Sequence, residues 1–181
     1  MTVLRRALDL ALAALVAAVL LVGLMAYLVP AVDGRALAIR SGSMAPAIGV
    51  GSLVVAVPQD PATLAVGDVV TVELAGGAVL THRIAAVIQQ DDLRMFRLRG
   101  DANPAPDPVL VTQDQLLGRV VVTVPLLGFL LALMSMPIGV LSLLSIGATL
   151  LAGAWLVDEL DDEDDRRPVR GYAGQAMRGA P

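Results

Sequence analysis

The chain has 181 residues, 56% of them apolar, and a mean hydropathy of +0.75, which is too high for a purely soluble protein of this size. It has no Cys, which excludes disulfides and cysteine nucleophiles. All 13 basic residues are Arg, which excludes catalytic and phosphate-binding lysines. If a serine is activated by a side chain near neutral pH, His82 is the one candidate base. The net charge of −4, with no basic stripe and few aromatic residues, gives no support to nucleic-acid binding.

A 20-residue segment without charge, residues 10–29, follows a short N-terminus (residues 1–9) that carries Arg5 and Arg6. A helix of this length covers the ~30 Å hydrocarbon layer of a bilayer at ~1.5 Å per residue. Short Arg-rich flanks stay on the cytoplasmic side, so residue 30 onward is expected outside. A cleaved signal peptide is the alternative, but its apolar core is shorter and ends at small residues. The ending Tyr27-Leu28-Val29-Pro30 favours an uncleaved membrane anchor.

Between residues 30 and 124 the apolar runs become short and alternate with Gly, Pro and Asp, a pattern that predicts strands and turns. Gly76-Gly77 predicts a tight two-residue hairpin, which would pair Thr71 with His82. Residues 89–92 predict a second turn. We therefore expect an extracytoplasmic all-β domain, with strands at 36–40, 52–57, 69–74, 78–88, 93–99 and 117–124.

The C-terminal part has no charge between Arg119 and Asp158, and two prolines divide it. It predicts an interfacial segment over 125–137 and a second transmembrane helix over 138–157, with a re-entrant hairpin over 126–157 as the alternative. Residues 158–181 predict an acidic, disordered cytoplasmic tail. The predicted fold class is thus membrane-anchored and mainly β, with the β domain between N-terminal and C-terminal transmembrane helices of the plasma membrane.

Two hydroxyl groups lie two positions apart in the stretch Arg40-Ser41-Gly42-Ser43-Met44-Ala45-Pro46. This composition suits a reactive serine and equally an ordinary loop. A serine nucleophile needs a base, and strand alternation places His82 on one face with Leu80 and Ile84. A single His on an apolar face is also typical of a structural core residue.

A Pro-rich segment, residues 99–108, contains Asp101, Asn103 and Asp107. Either carboxylate could orient a histidine base and stabilise its protonated form. Both are equally typical of turns. An oxyanion would find its nearest candidate donors in the backbone N–H of Ser43 and the hydroxyl of Ser41.

Four motifs in this order, behind an N-terminal anchor, resemble signal peptidase I: Ser-Gly-Ser-Met-Ala-Pro at 41–46, Gly-Asp-Val-Val at 67–70, Thr-His-Arg-Ile at 81–84 and Gly-Asp-Ala-Asn at 100–103. The resemblance covers about residues 10–124. It points to the branch of archaea, the endoplasmic reticulum and some Gram-positive bacteria, which uses His where the common bacterial branch uses Lys.

That resemblance implies that Ser43 is the nucleophile, His82 the base and Asp107 its acid partner, with Ser41, Asp101 and Asn103 in supporting positions. Family members commonly have a second Asn and paired acids in the last motif. This chain has Ala102 and the sequence Pro-Asp-Pro at 106–108 instead, so Asp101 stays open as the alternative to Asp107.

The implied activity is that of a membrane-bound serine endopeptidase, which removes N-terminal signal peptides from secreted precursors after small residues. Its partners would be those precursors and the lipid bilayer; partner subunits are left open, and no metal or organic cofactor is implied. Ile39 and Met44 are candidate walls of the substrate site. The alternatives are a catalytically silent accessory protein of the same fold, and a membrane-tethered β domain that binds peptides or envelope components.

Overall fold

The computed structural model describes residues 2–90 and 93–166. By its internal contacts the chain divides into two compact units, one of residues 17–140 and one of residues 1–16 with 141–181. Most of the first unit is a seven-stranded sheet in which neighbouring strands are antiparallel, in the order β1-β2-β7-β3-β4-β5-β6. The elements are α1 (Thr2–Leu28), β1 (Arg35–Ala38), β2 (Leu53–Val57), β3 (Val69–Glu73), β4 (Val79–Gln90), β5 (Leu93–Arg99), β6 (Leu110–Thr112), β7 (Leu116–Val124), α2 (Leu127–Met134) and α3 (Pro137–Arg166).

The strand β2 is buried along nearly all of its length and packs on both faces of the sheet, which explains its unbroken apolar sequence. Leu53 and Val55 pack on one face with Val29, and partly buried residues of α2 join them. Val54 packs on the other face with Met44 and Ile48. A third cluster lies under β3, β4 and β5 and is formed by Leu64, Val70, Val72, Ile84, Phe96, Leu98 and Val111.

The hairpin between β3 and β4 has a register one residue away from the predicted one. Thr71 pairs with Thr81, and Val70 pairs with His82, so the predicted pairing of Thr71 with His82 is wrong. The cause is a loop of three residues, closed by a 2.8 Å hydrogen bond from the Leu74 N–H to the Ala78 carbonyl. Both loop glycines have positive φ, but the loop between the paired residues Leu74 and Ala78 contains three residues instead of two.

Two short stretches of the first unit have a different secondary structure from the predicted one. The strand β6 was not predicted, because three residues, Leu110–Thr112, give too little alternation to recognise. At the second predicted turn, Gln89 and Gln90 belong to β4, while residues 91 and 92 lie outside the described part. The predicted interfacial segment contains the helix α2.

Among the described residues, two stretches are long and apolar enough to cross a membrane, Val3–Val32 with mean hydropathy 2.7 and Pro137–Asp161 with 2.1. A mainly β fold with an apolar helix near each end is thereby confirmed. The helix α3 continues to Arg166, so residues 158–166 are helical where a disordered tail was expected. Propagating a formed helix adds one hydrogen bond per residue, which favours this continuation. Residues 167–181 lie outside the described part of the chain.

Within the unit of residues 1–16 and 141–181, the first turns of α1 contact α3 around residues 153–158. Arg5 donates a 2.6 Å hydrogen bond to the carbonyl of Ala154 and also pairs with the carboxylates of Asp9 and Asp158. Leu8 lies 3.6 Å from the position that a Cβ on Gly153 would take. The start of α1 and the acidic part of α3 are thus neighbours in this unit.

Candidate active site

Three side chains that are far apart in sequence form one continuous hydrogen-bonded line. The Oγ of Ser43 lies 3.0 Å from Nε2 of His82, and Nδ1 of the same ring lies 2.6 Å from Oδ2 of Asp107. The imidazole is 5% exposed and the carboxylate 18% exposed, so both are largely shielded from water. A histidine held between a hydroxyl and a carboxylate can remove the hydroxyl proton and stay correctly oriented while it does so.

Ser43 is held in place by its neighbours in the chain. The next residue, Met44, is 1% exposed and belongs to the apolar cluster with Ile48 and Val54. A turn closes around the serine through a 3.0 Å bond from the Ala45 N–H to the Gly42 carbonyl. The side chain that follows the serine is therefore an anchor in the core, while Ser43 itself stays partly exposed.

The segment 100–107 closes over the histidine from the other side. The Ala102 N–H donates to the Ser43 carbonyl at 2.8 Å, and the Asp107 N–H donates to the Leu98 carbonyl at 2.8 Å. Gly100 approaches so closely that a Cβ there would lie 2.6 Å from the Ser43 carbonyl oxygen and 2.9 Å from Nε2 of His82. Only glycine fits this approach without displacing the serine or the histidine.

The two candidate carboxylates have different partners. Asp107 contacts His82, whereas Asp101 accepts two hydrogen bonds from Arg83, at 2.8 and 2.7 Å. Arg83 also donates to the Gly67 carbonyl at 2.7 Å, which connects the segment 100–107 to the turn before β3. The guanidinium holds the pKa of Asp101 below its usual range. Asp107, not Asp101, is thus placed to orient the histidine.

Asn103 lies at the turn of the same segment, where its N–H donates to the Gly100 carbonyl at 2.9 Å. Its side-chain nitrogen is 3.0 Å from the position of a Cβ at Gly100. The residue is therefore near the histidine but is not placed in the Ser43–His82–Asp107 line.

Two hydrogen-bond donors lie beside the hydroxyl of Ser43. The hydroxyl of Ser41 is 3.2 Å from the Oγ of Ser43. Among residues 2–90 and 93–166, no backbone carbonyl accepts the N–H of Ser43. Both groups are the donor types that stabilise an oxyanion in acyl transfer.

A groove of about 560 Å³ opens next to Ser43. Its walls are the segment 36–41, the start of β4 at 79–81, and the α2 side at 131, 132, 135 and 136. Ile39 and Met44, the two residues predicted to bind substrate, both line it. Their contact with a substrate stays a prediction.

Sequence reasoning missed three contributors to this site: Arg83, Gly100 and α2. Arg83 follows His82 in the strand, and its side chain faces the opposite way. The alternation of side chains along a strand could therefore have predicted that Arg83 binds a different residue from His82. The close approach of Gly100 depends on three segments meeting and has no local signal. The apolar sequence of residues 125–137 predicted an interfacial segment, but not that the helix within it would border the groove.

No protein-family model matches the chain. Over 87 residues the chain is 37% identical to signal peptidase I W of Bacillus subtilis (strain 168), a stretch that covers 47% of this chain and 46% of that relative. The match therefore spans about half the length of each protein. Together with the four motifs, this similarity supports the signal peptidase I family for the chain.

Proposed function

We propose that the chain is a membrane-bound serine endopeptidase that removes N-terminal signal peptides from secreted precursors. The observation that carries the proposal is the position of His82, 3.0 Å from the Ser43 hydroxyl and 2.6 Å from Asp107. The similarity to a signal peptidase I and the two apolar helices support the same activity.

The reaction begins with a neutral His82 whose proton is on Nδ1. Asp107 accepts that N–H, which leaves Nε2 free to accept the Ser43 proton. The serine oxygen forms a bond to the scissile carbonyl carbon as the proton moves to Nε2. The Ser43 N–H and the Ser41 hydroxyl donate to the oxyanion, and Asp107 stabilises the imidazolium.

Collapse of the tetrahedral intermediate breaks the C–N bond, and His82 gives its proton to the departing amine of the mature protein. The signal peptide is left as an ester on the Oγ of Ser43. Water then attacks this ester while His82 accepts its proton, and the proton returns to Ser43 as the signal peptide leaves with a new carboxylate. The cycle regenerates the starting state and needs no further reactant.

The groove beside Ser43 suits an extended peptide with small side chains. β1 is an end strand among the described strands, so its outer edge can pair with a peptide backbone. Ile39 and Met44 line the groove, and we assign to them the apolar contact with Ala-sized side chains of the substrate. Secretory signals end in such small residues.

The two apolar helices would confine the enzyme to the membrane that also holds its substrate, which raises the effective concentration of the scissile bond. We place the N-terminus and the end of α3 on the cytoplasmic side and the β domain outside. The contacts of Arg5 with Ala154 and Asp158 support a common side for both helix ends. Phe129 in α2 and Met136 just after it are exposed, which suits the interfacial position proposed for residues 125–137.

The test is cleavage of a secretory precursor by the purified full chain in detergent, with the product N-terminus identified by mass spectrometry. We expect correct cleavage by the unmodified chain and a loss of about 10⁶-fold for Ser43→Ala or His82→Ala, down to the small residual rate that binding and the oxyanion donors support. Ser41→Ala is the matched control for the serine: it removes a nearby hydroxyl but leaves the nucleophile, so we expect a loss of about 10²- to 10³-fold.

Folding of each variant is checked by circular dichroism and by its elution in size-exclusion chromatography. A folded Ser43→Ala variant that cleaves at the unmodified rate would contradict the proposal. A folded, unmodified chain that cleaves no precursor would also contradict it, and would favour the accessory protein of the same fold.

A further inference from the structure

Among the described residues that line the groove beside Ser43, Arg40 is the charged one. The others are apolar side chains or neutral hydroxyls. Arg40 is exposed, and within the described part of the chain no carboxylate lies within 4.0 Å of its guanidinium. A bound peptide therefore meets one uncompensated positive charge at the catalytic end of the groove.

The two carboxylates of the site do not pair with Arg40, because each has another partner. Asp101 is held by Arg83, and Asp107 by His82. Arg35, in the same strand region, differs in that Glu73 lies 3.9 Å from its guanidinium. Arg40 is thus set apart by its place in the groove and by the absence of an acidic partner among the described residues.

The backbone around Arg40 determines which substrate side chains would pass it. Ile39 continues the pairing of β1, with its N–H bonded to the Ser52 carbonyl at 2.9 Å, and its side chain packs against the cluster that contains Met44. Successive side chains of an extended chain point to opposite sides. A substrate strand that places two side chains against Ile39 and Met44 would therefore turn the side chain between them the other way, toward the solvent-exposed border of the groove where Arg40 lies.

We propose that Arg40 is a specificity-determining residue, which favours Asp or Glu and disfavours Lys or Arg at the outward-facing position between the two small residues before the cleaved bond. This inference rests on the proposed peptidase function. It adds to that function a preference set by charge, where the apolar walls of the groove select only by size.

The experiment uses the purified full chain in detergent and three peptides with a small-x-small cleavage site, in which x is Asp, Asn or Lys. We expect kcat/KM to fall from Asp to Asn to Lys, by about two- to fivefold at each step, the range of an exposed ion pair. Raising the ionic strength to about 1 M, where the Debye length is about 3 Å, should bring the three values together.

Variants at the same position separate a charge effect from a structural one. Arg40→Lys should keep the order of the three peptides, Arg40→Gln should bring the Asp-to-Lys ratio close to one, and Arg40→Glu should reverse it. Arg35→Gln removes the same charge from the same strand region outside the groove, and should keep the order and ratio of the unmodified chain.

Each result decides a different claim. The expected order with reversal by Arg40→Glu would establish the inference. Cleavage of the three peptides at equal rates, or an order unchanged by Arg40→Glu, would overturn the inference and leave the peptidase function in place. Cleavage of none of them by the folded chain would overturn the peptidase function, and the inference with it.

Discussion

The two ends of the segment from Gly100 to Asp107 have the same kind of side chain in different surroundings. At one end Asp101 binds the guanidinium of Arg83, and at the other Asp107 binds the imidazole of His82. Their partners are neighbours in β4 and face opposite ways, so a single strand provides both contacts. One carboxylate fixes the position of the segment, and the other orients the proposed base.

The largest effect is expected at the His82 end. In Asp107→Asn an amide can present its NH₂ group to the ring, which favours the tautomer with the proton on Nε2 and blocks acceptance from Ser43. We expect kcat to fall by about 10³- to 10⁴-fold with the fold retained. Precursor cleavage under single-turnover conditions measures it, and a loss below tenfold would show that Asp107 does not orient the base.

A smaller effect is expected at Gly100, the first residue of the segment that carries both carboxylates. Gly100→Ala places a methyl group 2.6 Å from the Ser43 carbonyl and 2.9 Å from Nε2 of His82. The segment must move away, and a shift of about 1 Å in a catalytic group can cost about 10²-fold in rate. Gly49→Ala is the control for substitution of a glycine in general, because nothing lies within 4 Å of a Cβ there and its φ is not positive. Unchanged cleavage by Gly100→Ala would contradict the close approach.

Asp101→Asn should affect stability more than chemistry. It weakens the two charge-assisted hydrogen bonds from Arg83, whose side chain is 36% exposed, so solvent screening reduces the loss to about 1 kcal/mol. We expect the thermal midpoint in detergent to fall by about 4 °C. Cleavage below that midpoint should fall by less than tenfold. A loss as large as that of Asp107→Asn would remove the distinction between the two carboxylates.

The pH dependence of that stability difference gives the smallest expected effect. The pKa of Asp101 is lowered in the folded state by its hydrogen bonds to Arg83, while an unfolded Asp titrates near ~3.9. The stabilisation is therefore fully present above about pH 4 and is lost as the pH falls through the lower folded pKa. Thermal midpoints of the unmodified chain and Asp101→Asn should converge on acidification below about pH 4. A gap that widens there would have the wrong sign.

Sequence patterns predicted much of the fold and the set of candidate site residues. The candidates could be named because the residue type alone shows which side chains have a hydroxyl, an imidazole or a carboxylate. The apolar helices and most strands follow from charge-free length and alternation. The predicted register of the β3–β4 hairpin at Thr71 was wrong, because the hydrogen bond that closes the loop, and not the pair of glycines, sets the number of loop residues. The choice between Asp101 and Asp107 could not be made, because it depends on how the segment 100–107 folds back onto β4.

The helical end of α3 and the groove could not be predicted from the sequence, because both depend on contacts between segments that are far apart in the chain. Residues 158–166 have the composition of a solvated tail, yet they continue a helix whose start is apolar and whose Asp158 pairs with Arg5. The groove is bordered by segments nearly 100 residues apart, at 36–41 and 131–136. Neither contact leaves a local pattern in the chain.

The most direct test is whether Ser43 and His82 act as one unit. Residues that act together in catalysis show strongly non-additive losses. We therefore compare the cleavage rates of Ser43→Ala, His82→Ala and the double variant on one precursor. We expect the double variant to be no slower than either single one. A double variant whose loss is the product of two separate losses, or a Ser43→Ala variant that still cleaves at the correct site at the unmodified rate, would contradict a joint role for the two side chains.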